Sequence, residues 1–202
     1  MLVAIASFLF HRNNIFFSQK RLGVNQRQFS LFKFRSMIVN AQSQGSGLYS
    51  FADDHRITPF GKFIRRTSLD ELPQLINVFL GDMSVIGPRP QDQRCFDAFP
   101  VKAQPIIASV LPGLSGIGSV VFRDEEEMIG DASNADFFYD NVIMPFKAEL
   151  EIWFVENFSV YVYFKLISLT ILAIFAPRAS NPWSWFKDLP QPPQQLKRYL
   201  SV

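Results

Sequence analysis

Asp70 and Glu71 stand side by side in the stretch Thr58–Pro90, with Arg65 and Arg66 just before them and Arg89 after. Adjacent carboxylates near fixed cations suit phosphate chemistry with a divalent metal. One carboxylate can attack phosphorus or hold a hard cation, while guanidinium groups neutralise the non-bridging oxygens. A salt-bridged helix would carry the same residues. That blander reading explains neither the arginines that precede the pair nor Gly87-Pro88-Arg89-Pro90, which follows it. Two prolines stiffen the backbone around a single guanidinium, which lowers the entropy cost of clamping it on a phosphate. Lys33 and Arg35 add two cations on one face of a predicted strand, which is either a solvated edge or an anion site. Pro112–Gly118, PGLSGIG, is rich enough in glycine to cradle an anion with backbone N–H groups, yet it matches no phosphate-loop or dinucleotide fingerprint.

These residues need elements to hold them. Ile15–Met37 reads as a β-hairpin turning at Leu22–Asn25. The polar segment from Ile38 to Arg56, with Gly45-Ser46-Gly47, reads as a mobile loop, with or without a short helical turn before it, in a disordered or lid-like role. Thr58-Pro59 predicts a helix start with Thr58 as N-cap. Ser68-Leu69-Asp70-Glu71 has capping-box spacing, and Pro73 is tolerated only in a first turn. A helix is therefore expected from about Ser68, with Leu72, Leu75, Ile76 and Phe79 on one face and both carboxylates at its dipole-favoured start. Ser119–Phe122 is expected to be a short strand ending at Arg123. Asp124–Glu127 is a helix start, a solvated face or a metal site. Ala135–Glu156 is expected to be helical, with a break or new start at Pro145.

Charge is unevenly divided. Residues 12–89 hold 11 Lys/Arg against 5 Asp/Glu, and residues 90–202 hold 9 against 13. The first part is suited to phosphates or an anionic membrane surface, and equally to a plain solvated face. With 22 Phe in 202 residues, the chain has more apolar surface than a soluble domain needs, so burial in an interface or bilayer is expected. The single Cys95 excludes an internal disulfide framework and a Cys-rich zinc site, and reads as a half-buried small residue in a reducing compartment. His11 and His55 are too few and too scattered for a histidine metal site.

Three apolar stretches bear on membranes. Met1–Phe10 holds roughly nine apolar residues, about half a hydrocarbon core as a helix, and no small-residue cleavage site follows. It is expected to be a membrane-dipping anchor, the end of a longer helix, or a buried strand. Phe158–Ala176 passes the length test for a span, but Lys165 sits near its middle. A helix lying in the interface or packed on the domain is the preferred expectation, with Lys165 snorkelling. From Pro177 on, a Pro-rich tail with Trp183, Trp185 and Phe186 is expected to be interfacial or loosely ordered.

Lys33–Met37 (KFRSM), Ser68–Pro90 (SLDELPQLINVFLGDMSVIGPRP) and Leu111–Gly116 (LPGLSG) together resemble the bacterial sugar transferases, the monotopic phosphoglycosyl transferases. The resemblance runs from about Phe16 to Phe175, and the DELPQ and GPRP block is its most specific part. It implies transfer of a sugar-1-phosphate from a UDP-sugar to polyprenyl (undecaprenyl) phosphate, releasing UMP, at the start of exopolysaccharide, capsule or O-antigen synthesis. It further implies Asp70 as nucleophile in a phosphosugar–aspartyl intermediate, Glu71 with Mg²⁺, and substrate contacts from Lys33, Arg35, Arg65, Arg66 and Arg89. The expected fold class is mixed α/β, mainly helical: one membrane-associated domain with a small β-hairpin and interfacial amphipathic helices. Its parts are a truncated membrane-associated helix (1–14), the catalytic domain (15–176) and the Pro-rich tail (177–202). The expected location is the cytoplasmic face of a bacterial inner membrane; nucleic acid is not an implied partner, and a homo-oligomer is left open. Two departures stand out. Ser7 lacks the following Pro of the family's re-entrant anchor, which suggests a misassigned start, a truncation, or an anchor replaced by 158–176. FRDEEE at Phe122–Glu127 replaces a neutral Gly-Arg-Asn-type stretch, so the arginine role passes to Arg123. The competing readings are an inactive membrane-peripheral scaffold of a polysaccharide assembly system and an Asp-nucleophile phosphohydrolase. The Asp-x-Asp motif of soluble nucleotide-sugar glycosyl transferases does not occur.

Overall fold

The computed structural model describes residues 15–41 and 54–200. The expected anchor at 1–14 and most of the expected lid-like loop therefore lie outside the described residues. The hairpin is present: strand β1 (Phe16–Leu22) pairs antiparallel with β2 (Gln28–Phe34), Phe16 opposite Phe34 and Leu22 opposite Gln28. Its loop is tipped by Asn25 and Gln26, which both take positive φ as a tight turn requires, with Arg27 N donating to Val24 O at 3.1 Å and Gly23 N to Arg27 O at 2.8 Å. Past β2, Met37 bridges Ile57, so the two ends of the loop meet, and buried Arg56, paired with Asp54, donates from Nη1 across to Ala41 O at 3.2 Å.

Helix α1 (Pro59–Arg66) starts as its sequence dictates, with Thr58 Oγ1 accepting from Gly61 N at 2.9 Å. The next element corrects the capping-box expectation. Ser68 takes φ 55°, a left-handed conformation incompatible with an N-cap, and Asp70 and Glu71 lie in a separate 3₁₀ turn, Leu69–Glu71. Helix α2 (Gln74–Leu80) begins only after Pro73. Its apolar face points away from the rest of the chain: Leu72, Leu75, Ile76, Phe79 and Leu80 are exposed, while Gln74 and Asn77 are buried. Asn77 accounts for this inversion. It accepts from Phe32 N at 3.1 Å and donates to Ser30 O at 2.8 Å, pairing with the edge of β2 as a third strand would.

Strand β3 (Ser84–Ile86) pairs in parallel with β4 (Gly113–Ser115), Ser84 opposite Gly113 and Ile86 opposite Ser115. A Cβ on Gly113 would overlap the Gly87 amide, and one on Gly116 the Gly87 carbonyl. The glycines of 112–118 thus let two backbones touch, and Gly113 N donates to Pro88 O at 2.8 Å, a use the expected anion cradle did not include. Helices α3 (Gln93–Asp97) and α4 (Gln104–Ile107) follow β3. The expected strand at 119–122 is instead helix α5 (Ile117–Val121), because turning helically buries Ile117 and Val121 together in the core. The acidic run opens helix α6 (Glu125–Gly130), one of the three roles anticipated for it.

Helix α7 (Ala135–Phe138) runs through a π turn at Tyr139–Ile143 into α8 (Met144–Glu156). Pro145 marks the expected new start: it lies in the first turn of α8, directly after the π turn. Helix α9 (Val160–Phe175) buries Leu166, Leu169 and Ala173, and leaves Tyr161, Phe164, Ile171 and Phe175 outward. Among the described residues no helix is long and apolar enough to cross a membrane. Lys165 does not snorkel: its ammonium donates to Trp185 O and lies 4.6 Å from the Phe186 ring centroid. That contact belongs to the tail, which is packed on the core and not loosely ordered. After helix α10 (Pro182–Trp185), Phe186, Leu189, Leu196 and Leu200 are buried in the core, and Trp153 donates to Asp188 at 2.9 Å. The molecule is mixed α/β and mainly helical, as expected. Cys95 is buried within it, and burial pushes its thiol up to about 11.

Candidate active site

A cleft of about 1390 Å³ runs between the hairpin, the 3₁₀ turn, α5 and α9. Alternation along β2 puts Lys33 on the face of buried Leu31, and so toward the turn carrying the two carboxylates. The Gly-Pro-Arg-Pro segment leaves β3 on the opposite side. Both cations converge on one oxygen: Lys33 Nζ lies 2.9 Å and Arg89 Nη2 2.7 Å from Glu71 Oε1. Burial opposes the Glu71 charge most strongly, but Arg89 and Lys33 overcome it and hold the carboxyl well below the usual range. Glu71 in turn raises Arg89 further above its ordinary value.

Asp70 is in a different state. It is only 8% exposed, lines the cleft, and accepts no hydrogen bond among the described residues. Burial raises its carboxyl above the ordinary value; Lys33 opposes this, Glu71 reinforces it, and Arg65 and Arg89 oppose it. The stabilisation expected from a helix start is therefore absent: burial disfavours the charged form, and the surrounding cations offset it only in part. The Asp70 oxygens open on the cleft and are not taken up by a neighbouring side chain among the described residues, so they can meet an incoming phosphorus.

The remaining predicted residues are placed less centrally. Arg65 reaches the cleft but pairs with Glu126, which gives the acidic run a partner. Arg66 and Arg123 are exposed on the cleft's rim. Arg35 lies over the Phe17 ring at 5.7 Å and donates to Phe16 O at 3.3 Å, still lining the cleft but away from the Glu71 cluster. The far wall is apolar, formed by Ile167, Ile171, Ile174 and Phe175 of α9.

Two site features were missed in the sequence. Lys147 is buried, pairs with Glu125 at 2.6 Å, and lies over Phe122 at 5.0 Å. Glu151, one turn later on α8, is 1% exposed and lies behind Arg89. The available signal was a Lys and a Glu four apart, which share one helix face with the apolar residues Met144 and Phe154 and not with Glu149.

Carboxylate oxygens are the ligands Mg²⁺ prefers, and that ion usually keeps waters and takes substrate phosphates alongside one or two carboxylates. Asp70 and Glu71 fit such a partial site, Asp70 because its oxygens are not engaged in hydrogen bonds. No cluster of three or more acidic, histidine or cysteine side chains suited to a metal occurs among the described residues, so an ion here would depend on the substrate for further ligands.

Similarity to known proteins agrees with this geometry. An uncharacterised sugar transferase of Bacillus subtilis (strain 168) is 35% identical over 159 residues, covering 78% of this chain and 68% of that protein. The UDP-N-acetylgalactosamine-undecaprenyl-phosphate N-acetylgalactosaminephosphotransferase of Aeromonas hydrophila is 36% identical over 162 residues, 79% of this chain and 35% of its own length. The UDP-glucose:undecaprenyl-phosphate glucose-1-phosphate transferase of Xanthomonas campestris pv. campestris is 51% identical over 76 residues, 38% of this chain and 16% of its own. The chain thus spans only about a third of the Aeromonas relative, or less of the Xanthomonas one. Residues 1–177 match the family described as bacterial sugar transferase, and the chain belongs to that family.

Proposed function

We propose that this chain moves a sugar-1-phosphate from a UDP-sugar to polyprenyl phosphate in two displacements. One observation carries the reading: a largely buried carboxylate that opens on the cleft, Asp70, sits beside a carboxylate held by two cations, in a cleft with one charged and one apolar wall. An Asp70 oxygen attacks the phosphorus bonded to the sugar. A P–O(Asp70) bond forms, the bond to the bridging oxygen breaks, and UMP leaves with that electron pair. The acceptor's phosphate oxygen then attacks the same phosphorus and displaces the Asp70 carboxylate, giving polyprenyl diphosphosugar. Splitting the transfer lets a water-soluble donor and a lipid acceptor use one site in turn.

Lys33, Arg65 and Arg89 surround the charge that develops on phosphorus, while Arg66 and Arg123 draw phosphates to the rim. Mg²⁺ held by Glu71 would neutralise charge on the donor's diphosphate. The apolar wall of α9 suits the acceptor's chain, and the outward Leu75, Ile76, Phe79 and Leu80 suit attachment to a membrane surface, on the cytoplasmic side where UDP-sugars are made. The names of the Aeromonas and Xanthomonas relatives support both substrate classes.

The test is multiple-turnover release of UMP by detergent-solubilised protein, with Mg²⁺ and polyprenyl phosphate each supplied or withheld. Turnover is expected only with both, and Asp70→Asn is expected to lower it by roughly a thousandfold or more. Near-wild-type turnover in Asp70→Asn would end the nucleophile assignment. Free sugar phosphate formed without lipid would mean a phosphohydrolase, and no affinity for any UDP-sugar would mean a scaffold.

A further inference from the structure

Glu151 is the most enclosed carboxyl group among the described residues, and its oxygens are poorly used. Oε2 is buried without a hydrogen-bond partner; Oε1 faces Arg89 N at 3.5 Å, long for such a bond. Pro88 and Pro90 carry no N–H, so Arg89 has the only backbone donor in the tripeptide, and it points at Glu151. Gly118 makes room for this approach, because a Cβ there would run into Glu151 Oε1. On its outer side the same Arg89 holds Glu71 at 2.7 Å.

We propose that Glu151 is a positioning residue: from behind the cleft its carboxyl group draws in the Arg89 backbone and sets where the guanidinium meets Glu71 and a bound phosphate. The inference rests on the phosphoglycosyl-transfer reading for its phosphate. The charged groups bearing on Glu151 are Lys147, one turn earlier on α8, and Arg89 across from it. Their other partners are Glu125 and Glu71, and α5 brings Gly118 against the carboxyl. Burial lifts the Glu151 carboxyl to about 7, against the pull of the Arg89 N–H, Lys147 and the Arg89 charge. Near neutrality the carboxyl therefore switches between a weak neutral acceptor and a strong charged one. Ionisation tightens the clamp.

The experiment uses the full chain in detergent with ¹⁵N-arginine, following the Arg89 amide against pH, in parallel with donor turnover. In the wild type the Arg89 amide proton is expected to move downfield with a midpoint near 7. Turnover is expected to rise about fivefold through the same range, as a neutral hydrogen bond becomes charge-assisted. Glu151→Gln keeps an acceptor of the same shape and is expected to flatten both curves. Gly118→Ala keeps the carboxyl but pushes it off the Arg89 amide, and is expected to flatten the amide titration too. The proposal is overturned if the wild-type amide does not titrate near 7, or if the titration or the turnover limb survives in Glu151→Gln. If the wild type transfers no phosphosugar, the functional reading fails by itself, and the amide titration still decides the role of Glu151.

Discussion

Helix α2 buries Gln74 and Asn77 and leaves Leu75, Ile76, Phe79 and Leu80 outside, whereas α8 buries most of its side chains, Lys147 and Glu151 included. Both helices turn polar groups inward, and the partners differ. Asn77 meets backbone groups at the edge of β2, a fixed demand that its amide satisfies with two hydrogen bonds. Glu151 meets one amide at the limit of bonding and leaves an oxygen unused. A buried polar side chain that is fully partnered holds a fold together; one that is only half partnered is a candidate for function. Glu71 belongs with the first kind by its contacts and with the second by its place in the cleft.

The largest expected effect tests that double membership. Glu71→Gln removes the charge on which Lys33 and Arg89 converge, leaving the two cations to repel each other beside Asp70. UMP release is expected to fall by roughly a thousandfold, about 4 kcal/mol of barrier. Turnover within a few-fold of wild type would show that Glu71 only ties the clamp to the turn.

The next effect separates Glu151 from Glu71 by pH. Glu151 binds its proton more tightly in the folded chain than in the unfolded one, at about 7 against an ordinary 4.5. Its contribution to stability is thus complete below about pH 4.5 and is lost as pH rises through 7, up to about 3 kcal/mol. Denaturant unfolding of Glu151→Gln against wild type is expected to shift in favour of the variant by that order between pH 4 and pH 8. Glu71 runs the other way: its depressed carboxyl stabilises the fold above about pH 4.5, and this is lost as pH falls below that. A difference between wild type and Glu151→Gln that does not change with pH would return Glu151 to the fully partnered class.

Much of this contrast was invisible in the sequence for a physical reason. The hairpin and the Thr58 cap were legible because turn chemistry and capping are local, whereas the meeting of Lys33 and Arg89 at Glu71, across 38 and 18 residues, was implied only by the family resemblance. The left-handed Ser68 was not, since nothing next to it forbids the capping box; the position of the 3₁₀ turn against β2 decides. Periodicity located an apolar face on α2 but could not say that the polar face would be inward, which Asn77 settles across 45 residues of chain. Glu151 meets Arg89 across 62 residues, and no spacing announces that. The tail was misread because its prolines suggested a loose end, while Phe186, Leu189, Leu196 and Leu200 seal the core.

Asn77→Ala is expected to cost about 2 kcal/mol, because it strands the Phe32 N–H and the Ser30 carbonyl at the edge of β2. The midpoint of urea unfolding measures it. If the loss is nearer zero, water can replace the amide, and the inward polar face of α2 is tolerated and not required.

The smallest expected effect on stability lies on the other face of the same helix. Phe79 is 91% exposed, so Phe79→Ser removes almost no buried surface and should change unfolding by no more than about 0.5 kcal/mol. Attachment to a membrane should respond differently: burying that ring in a bilayer is worth about 2 kcal/mol, so partitioning onto anionic vesicles is expected to fall by roughly thirtyfold. Stability and attachment thus separate on one side chain. A marked loss of stability would mean that the face of α2 is covered by protein, and unchanged partitioning would mean that the chain meets the bilayer elsewhere. Either result would break the contrast with α8, whose apolar side chains already have their partners inside the fold.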